Sequence, residues 1–291
     1  MNEWALLERV KERVPGAGDD CAVLPMQGTY LLLTTDMLHQ ASDFPPGTTP
    51  YTIGWRSVAV SLSDIAAMGG VPRAVLVAAS APDWTEVFDG VLAGAQAVCA
   101  QAGGELVGGD MDSSGELFVT TTVMGTADRP IMRAGAQPGD LLCVTGRLGR
   151  TAAALRALAQ GRVREGNALL RFPPRTRFGQ RLAGIATSMI DISDGLAHSV
   201  HLLARAGGVG LEVDLARIPV MPRLSELAGA DEAWSAALYY GEDYELLFTA
   251  PPDRFRPGLG RVVGRVADQG VWLVSGDRRD ELPDRGWSHG R

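Results

Sequence analysis

The chain contains 291 residues, of which 46% are hydrophobic and 21% are charged, so it can bury the core of one large domain or of two ordinary ones. It lacks the roughly 18 uninterrupted apolar residues that a membrane span needs, and its acidic first residues do not resemble a secretory signal, so the cytoplasm is the expected compartment. A net charge of −7 argues against a nucleic-acid binder, because no basic face is available to displace phosphate counterions.

Scarce residue types exclude further classes of site. Lys11 is the only lysine, which argues against a Walker A loop, a protein-kinase ATP lysine and a Schiff-base lysine. The 3 cysteines are far apart among apolar neighbours, as expected of buried thiols in a reducing compartment. His198 and His201 could share one side of a helix, but no cysteine pair lies near them, so a zinc site is not expected there.

Helices and strands alternate in the first half of the chain. Asn2 can cap a helix that runs to about Arg13. Asp83 and Glu86 have the spacing of a capping box before a later helix. The predicted order is strands near 21–24 and 30–35, a mobile loop over 38–50, a helix over 51–68, a strand at 73–79, a helix that ends near 103, and strands at 105–107 and 116–125.

Glycine, proline and charge cluster at 129–140, where we place a domain boundary between residues 1–135 and 136–291. The second half repeats the alternation, so the sequence predicts an α/β (α+β) chain of two domains. Strands are predicted near 141–144, 189–191, 211–213, 244–249 and 261–266, with helices after Gly149 and from Asp194.

Aspartates recur where apolar elements meet glycine, serine or threonine. A single such residue is typical of a turn or a helix start. Carboxylates at the ends of buried elements are costly unless they are paired or bound to metal, and Mg²⁺ prefers carboxylate ligands together with substrate phosphates. The recurrence therefore predicts a magnesium and phosphate site. The aspartates are Asp20, Asp36, Asp64, Asp110, Asp191 and Asp194, with Asp110 expected at the end of a strand.

At these positions the sequence resembles the thiamine-monophosphate kinases. The matching blocks follow the order of that family and span nearly the whole chain. They are Gly-Asp-Asp-Cys-Ala-Val at 18–23, Thr-Thr-Asp at 34–36, Ser-Leu-Ser-Asp-Ile-Ala-Ala-Met-Gly-Gly at 61–70, Gly-Gly-Asp at 108–110, Arg-Ala-Gly-Ala-Gln-Pro-Gly-Asp at 133–140, Ile-Asp-Ile-Ser-Asp-Gly-Leu at 190–196 and Gly-Glu-Asp-Tyr-Glu-Leu at 241–246.

The resemblance implies a two-domain fold like that of aminoimidazole ribonucleotide synthetase, in which an N-terminal sheet domain forms a homodimer and a C-terminal mixed α/β domain covers the nucleotide. It implies that several Mg²⁺ ions assist transfer of the γ-phosphoryl of ATP, the co-substrate, to thiamine monophosphate. The implied metal ligands are Asp20, Thr34, Thr35, Asp36, Asp64, Asp110, Asp191 and Asp194. The implied ATP contacts are Gly109, Asp110, Arg133 and Ser193. The implied substrate contacts are Asp43, Glu242 and Trp287.

Some positions near the implied substrate site depart from the family or are ambiguous. Asp43 stands where many relatives have histidine, so it either meets the cationic thiazolium or is a plain loop residue. Arg56, often lysine in relatives, keeps the charge but not the geometry. Trp287 follows Gly286 in a tail that either stacks on the thiamine ring or packs on the surface. Glu242 lies in a matching block and is the stronger substrate candidate.

The implied chemistry needs no general base, because the acceptor is a phosphate that is already mostly deprotonated at neutral pH. What the site must overcome is repulsion between two polyanions, which metal ions held by aspartates can neutralise. We therefore expect direct transfer without a phospho-enzyme. The acidic blocks contain no histidine, which agrees with that expectation.

Two alternative functions and two interpretations of one turn remain at this point. Related enzymes of the superfamily need a reactive cysteine or a placed lysine that this chain does not show in the matching positions. A non-catalytic regulator that binds nucleotide or metal would be indicated by lost acidic residues, and all the implied ones are present. Finally, the turn at 146–149 before a helix is typical both of phosphate binding through backbone N–H groups and of a tight strand-to-helix connection.

Overall fold

A computed structural model of the chain describes residues 9–14 and 16–287. Residues 9–13 are helical and form α1. The predicted start of this helix at Asn2 lies outside the described residues. Within the described ranges, no helix is long and apolar enough to cross a membrane.

Two mixed β-sheets organise the chain, one in each half. The first has the spatial order β1-β2-β5-β3-β4, and its neighbouring strands are antiparallel except for the parallel pair β3 and β4. Its elements are β1 (Ala22–Met26), β2 (Thr29–His39), α2 (Gln40–Asp43), α3 (Pro50–Ala67), β3 (Val71–Ala81), α4 (Phe88–Ala102), β4 (Glu105–Ser113) and β5 (Phe118–Ala127).

The second sheet has 7 strands in the order β12-β11-β8-β10-β6-β9-β7. Its strands are β6 (Leu141–Val144), β7 (Ser188–Asp191), β8 (Gly210–Asp214), β9 (Leu246–Ala250), β10 (Arg261–Ala267), β11 (Val271–Ser275) and β12 (Arg278–Glu281). Its helices are α5 (Arg150–Ala159), α6 (Val163–Leu170), α7 (Thr176–Leu182), α8 (Leu196–Gly207), α9 (Pro222–Ala228) and α10 (Ala230–Tyr239), with a 3₁₀ turn at Leu215–Arg217.

The long helix α3 lies between the two halves. It begins after Thr49, whose side chain accepts the N–H of Thr52, and it ends before Gly69, which has a φ of +68°. Most of its residues are buried, because it contacts the first sheet, α4, and also α7 and β7 of the second half. Two glycines allow a close contact with α4. A Cβ on Gly54 would lie 1.8 Å from the carbonyl oxygen of Val91, and a Cβ on Gly94 would lie 2.0 Å from that of Tyr51.

The segment 128–140 connects the two sheets, and the division placed between 135 and 136 falls within it. This connection is fixed at both ends. The N–H of Ile131 donates to the carbonyl of Met68 at the end of α3, and the N–H of Met189 in β7 donates to the carbonyl of Met132. The connection therefore runs beside α3 and brings Arg133 to the junction of the two halves.

Several local predictions are wrong. Strand β4 does not end at Gly108-Gly109-Asp110 but continues to Ser113. Glycine at position 109 allows the neighbouring strand to pack closely, since a Cβ there would lie 1.7 Å from the Val77 carbonyl oxygen. Helix α4 starts at Phe88 without a side-chain cap, and Asp83 instead accepts hydrogen bonds from Thr85. The short helix α2 interrupts the predicted loop, α8 begins at 196 after Gly195, and strands β11 and β12 were not predicted.

Candidate active site

Three of the predicted aspartates meet where the two halves join. Asp20 precedes β1, Asp64 lies in the last turns of α3, and Asp191 ends β7. Each contributes a carboxylate oxygen to a group whose atoms all lie within 4.8 Å of one another. Ser63, the neighbour of Asp64 on α3, donates a hydrogen bond of 2.7 Å to Asp191 and so links the two halves at this point. Three separate elements thus place carboxylates in one small volume.

Strand β2 adds two more of the predicted ligands on the side that faces α3. The Thr34 hydroxyl donates to the Asp64 carboxylate, and Ser61 donates to Asp36 over 2.6 Å. Thr34 and Asp36 are two positions apart, so the alternation of a strand puts both side chains on the same face. The sequence shows Ser57, Ser61 and Asp64 at helical spacing on one stripe of α3, although the prediction gave the serines no role as site residues.

The surroundings of these acids oppose their ionisation. Burial raises the pKa of Asp64 and of Asp191 well above the usual value, and neighbouring carboxylates add to both shifts. Burial and the charge of Asp20 raise the pKa of Asp19 to about 6. A cation bound among these oxygens would relieve both the repulsion and the burial cost, so the donor set fits Mg²⁺.

Arg133 lies at the edge of the acidic group. Its guanidinium donates to Asp20 over 2.8 Å, and its backbone N–H donates to the Asp19 carboxylate over 3.0 Å. The arginine is therefore held beside the carboxylates, where it could also meet a bound phosphate.

A cavity of about 1090 Å³ opens beside Arg133, between the N-terminal segment and α8. Its size matches that of a nucleotide or another large ligand. Ser193 and Asp194, both predicted site residues, lie in its wall. Lys11, which was not predicted as a site residue, also lines it. The charged and polar residues of the wall include Lys11, Asp19, Arg133, Ser193, Asp194 and His198.

Thr35, Gly109 and Asp110 do not join this group within one chain. Across the first sheet, Asp36 is aligned with Thr121 and Val77, and Val77 with Gly109, so Gly109 lies three strand spacings, or about 14 Å, from Asp36. The register aligns Asp110 with Met37, on the face opposite to Asp36. The predicted ligands are therefore divided between two faces of the sheet.

The block at 241–246 contacts the acidic site from the second half. The Glu242 carboxylate lies 2.6 Å from the guanidinium of Arg56 in α3, whose side chain is completely buried. Glu242 and Tyr244 have positive φ angles of 56° and 51°, an unusual conformation for residues other than glycine. The Tyr244 ring stacks on Phe172 with a centroid distance of 4.4 Å. The ion pair of Glu242 and the ring stacking of Tyr244 together stabilise this strained turn.

Asp243 explains the turn before α5. Its buried carboxylate accepts the backbone N–H groups of Gly149 and Arg150 over 2.8 to 2.9 Å. The N-terminus of α5 is therefore capped by an acid of the chain itself, which favours the tight-connection interpretation over phosphate binding. The same block places Glu245 against Arg175, with 2.6 Å between Nε and a carboxylate oxygen.

Asp43 closes a local turn. Its carboxylate accepts the N–H of His39 over 2.9 Å and the hydroxyl of Ser42 over 2.6 Å. These bonds support the interpretation of Asp43 as a loop residue.

Trp287 lies beside the site, because its backbone N–H donates to the carbonyl of Asp194 over 3.0 Å. The residue is 43% exposed.

The chain matches two family models in succession. The model of the N-terminal domain of AIR synthase related proteins matches residues 18–127, and that of the C-terminal domain matches residues 137–273. A thiamine-monophosphate kinase of Halobacterium salinarum is 45% identical over 99% of this chain and 100% of its own length. The chain belongs to the thiamine-monophosphate kinase family.

Other members of the family agree with this assignment. The thiamine-monophosphate kinase of Methanospirillum hungatei is 42% identical over 99% of both chains. Among solved structures, AaThiL complexed with AMPPCP and TMP superposes with a TM-score of 0.90 at 29% identity, covering 99% of this chain and 97% of that one. The fold predicted from the sequence is confirmed by this likeness.

Proposed function

We propose that this member of the family transfers the γ-phosphoryl group of ATP to the phosphate of thiamine monophosphate, yielding thiamine diphosphate. The observation that carries the proposal is the meeting of Asp20, Asp64 and Asp191 at the junction of the two halves, beside a cavity of nucleotide size. The AaThiL structure, whose ligands are AMPPCP and TMP, supports the same pair of substrates.

The carboxylates fit Mg²⁺ because they are hard oxygen donors packed within 4.8 Å, with pKa values that burial has raised. We propose Asp20, Thr34, Asp36, Asp64, Asp191 and Asp194 as ligands through their side chains. Thr35, whose side chain lies on the opposite face, would contribute only its backbone. Bound Mg²⁺ would neutralise the phosphates and hold them for in-line transfer.

The residues of the chain then have separate roles. Arg133 and Ser193, on the wall of the cavity, would bind the phosphates of ATP. Glu242 would face the cationic part of the acceptor, held in place by Arg56. Trp287 would cover the acceptor from the C-terminal side. We assign Asp43 a structural role in its turn, given its hydrogen bonds to His39 and Ser42.

Transfer is proposed to be direct. The acceptor phosphate is its own nucleophile, so no side chain has to remove a proton from it. Labelled phosphate trapped on the protein during turnover would contradict a direct transfer.

We also propose that the enzyme is a homodimer formed through the outer face of the first sheet. Met37, Leu76 and Met124 share that face by register and are 62%, 46% and 36% exposed. A second copy is the occupant that the family resemblance implies. It would bring Asp110, which shares this outer face by register, and the backbone of the adjacent Gly109 into an interface, on which their proposed contact with ATP depends. In light scattering, Met37→Arg should shift the chain toward a monomer, whereas Val163→Arg, an exposed position on α6, should not.

The cytoplasm is the compartment that we propose. The structure contains three buried free cysteines, Cys21, Cys99 and Cys143, and this supports a reducing environment.

The activity is tested by incubating the protein with ATP, Mg²⁺ and thiamine monophosphate and measuring thiamine diphosphate. Asp64→Asn should abolish product formation, and Asp268→Asn, an exposed loop position, should leave it intact. No product from folded wild type that binds ATP would refute the choice of acceptor and would favour a nucleotide-binding regulator.

A further inference from the structure

The last described residues, 282–287, form a tail that lies along α8. The His201 Nε2 donates to the carbonyl of Leu282 over 2.8 Å, and the Asp284 carboxylate lies 2.7 Å from the Nδ1 of His198. Arg205 also pairs with Asp284. Residues 198, 201 and 205 are separated by three and four positions, so one face of the helix holds the tail.

The tail ends against the turn that carries Asp194. The N–H of Trp287 donates to the Asp194 carbonyl, and the preceding Gly286 is so close that a Cβ there would lie 2.1 Å from the same oxygen. Only glycine allows this approach. The backbone of Trp287 is therefore held next to Asp194.

The contacts that hold the tail are not equally shielded from water. The His198 side chain is 3% exposed and that of Asp284 is 31% exposed, whereas that of Arg205 is 57% exposed. An exposed ion pair contributes little, because water competes for both charges. The hydrogen bond between His198 and Asp284 is thus the stronger of the two attachments.

We infer that Asp284 is a positioning residue, which through His198 holds the tail so that Trp287 meets the acceptor next to Asp194. This inference rests on the proposed function and adds to it a residue outside the family blocks. Asp284 does not itself touch the substrate. It reduces the freedom of the tail, so that less order has to be gained when the acceptor binds.

The test compares steady-state kinetics of wild type, Asp284→Ala, Asp284→Asn, Trp287→Ala and the control Asp280→Ala, an exposed residue of β12. Asp284→Ala should raise the KM for thiamine monophosphate about tenfold, as expected for about 1.4 kcal/mol of lost positioning. The KM for ATP should change less, although His198 and Arg205 also line the cavity. Asp284→Asn should retain most of the affinity, because its amide oxygen can still accept from His198. Asp284→Ala should add nothing in the Trp287→Ala background, since both act through one contact.

The outcomes separate the two levels of the proposal. A wild type without thiamine-monophosphate kinase activity would overturn the function and this inference together. An active wild type in which Asp284→Ala behaves like Asp280→Ala, raises both KM values equally, or adds its full effect to Trp287→Ala would overturn the inference alone. Loss of amide protection at Trp287 in Asp284→Ala, measured by hydrogen exchange, would show directly that the tail had been released.

Discussion

The buried ion pair between Arg56 and Glu242 predicts an asymmetric response to mutation. The Arg56 side chain is completely buried, whereas that of Glu242 is 23% exposed. Among the described residues, Nε and Nη1 of Arg56 have no hydrogen-bond partner, so the carboxylate is the main compensation for this charge. Removing either partner breaks the same contact, but the charge that is left behind meets a different environment.

Glu242→Gln leaves the guanidinium in the interior without its ion-pair partner, and breaking a buried pair in this way costs about 3–5 kcal/mol. Arg56→Met leaves a carboxylate that water can reach, so we expect a smaller loss of about 1–3 kcal/mol. The double variant Arg56→Met with Glu242→Met should be more stable than Glu242→Gln, because no buried charge remains.

Equilibrium urea unfolding in the presence of a chelator measures these differences, followed by circular dichroism and by tryptophan fluorescence so that a single transition can be verified. An Arg56→Met variant that is destabilised as much as Glu242→Gln, or more, would contradict the predicted asymmetry.

Three further predictions concern stability. Burial raises the pKa of Asp243 to about 7, so the native state holds this proton more tightly than the unfolded state does, and the stability of wild type falls as the pH rises from about 4 to about 7. The stability of Asp243→Asn relative to wild type should therefore increase over that range, by up to about 4 kcal/mol in urea titrations at several pH values. A difference that stays constant with pH would contradict this prediction. Gly94→Ala should lower the melting temperature strongly because its Cβ would overlap Tyr51, while Gly115→Ala, which has open space, should not. Mg²⁺ should raise the melting temperature of wild type but not of Asp64→Asn, since the carboxylates lie within 4.8 Å, and equal shifts would argue against a metal site there.

The sequence predicted best where periodicity and composition act locally. Helix α3 was predicted over 51–68 and extends over Pro50–Ala67, because its apolar residues recur with helical spacing and glycines end it. The grouping of acids could also be anticipated, since carboxylates at the ends of buried elements require a partner. The short and exposed strand β12 lacks an apolar pattern, and so nothing in the sequence marked it.

What could not be predicted depends on neighbours that are distant in the chain. The glycines of β4 suggested a break, yet Gly109 continues the strand because Val77 approaches it from β3. The capping of α5 by Asp243 and the burial of Arg56 against Glu242 join residues from different parts of the chain. Which face of the sheet receives Asp110 depends on strand register, which a single sequence does not specify.

The alternation along β2 has a consequence for how this protein can evolve. Thr34 and Asp36 face α3, whereas Thr35 and Met37 face outward, so the strand contains two alternating sets of side chains, one on each face of the sheet. Substitutions can alter one set without touching the other. Loss or gain of a single residue inside the strand would exchange the two sets, turning Asp36 outward and an apolar side chain toward the acids. The length of this strand is therefore more constrained than the identity of its outward-facing residues.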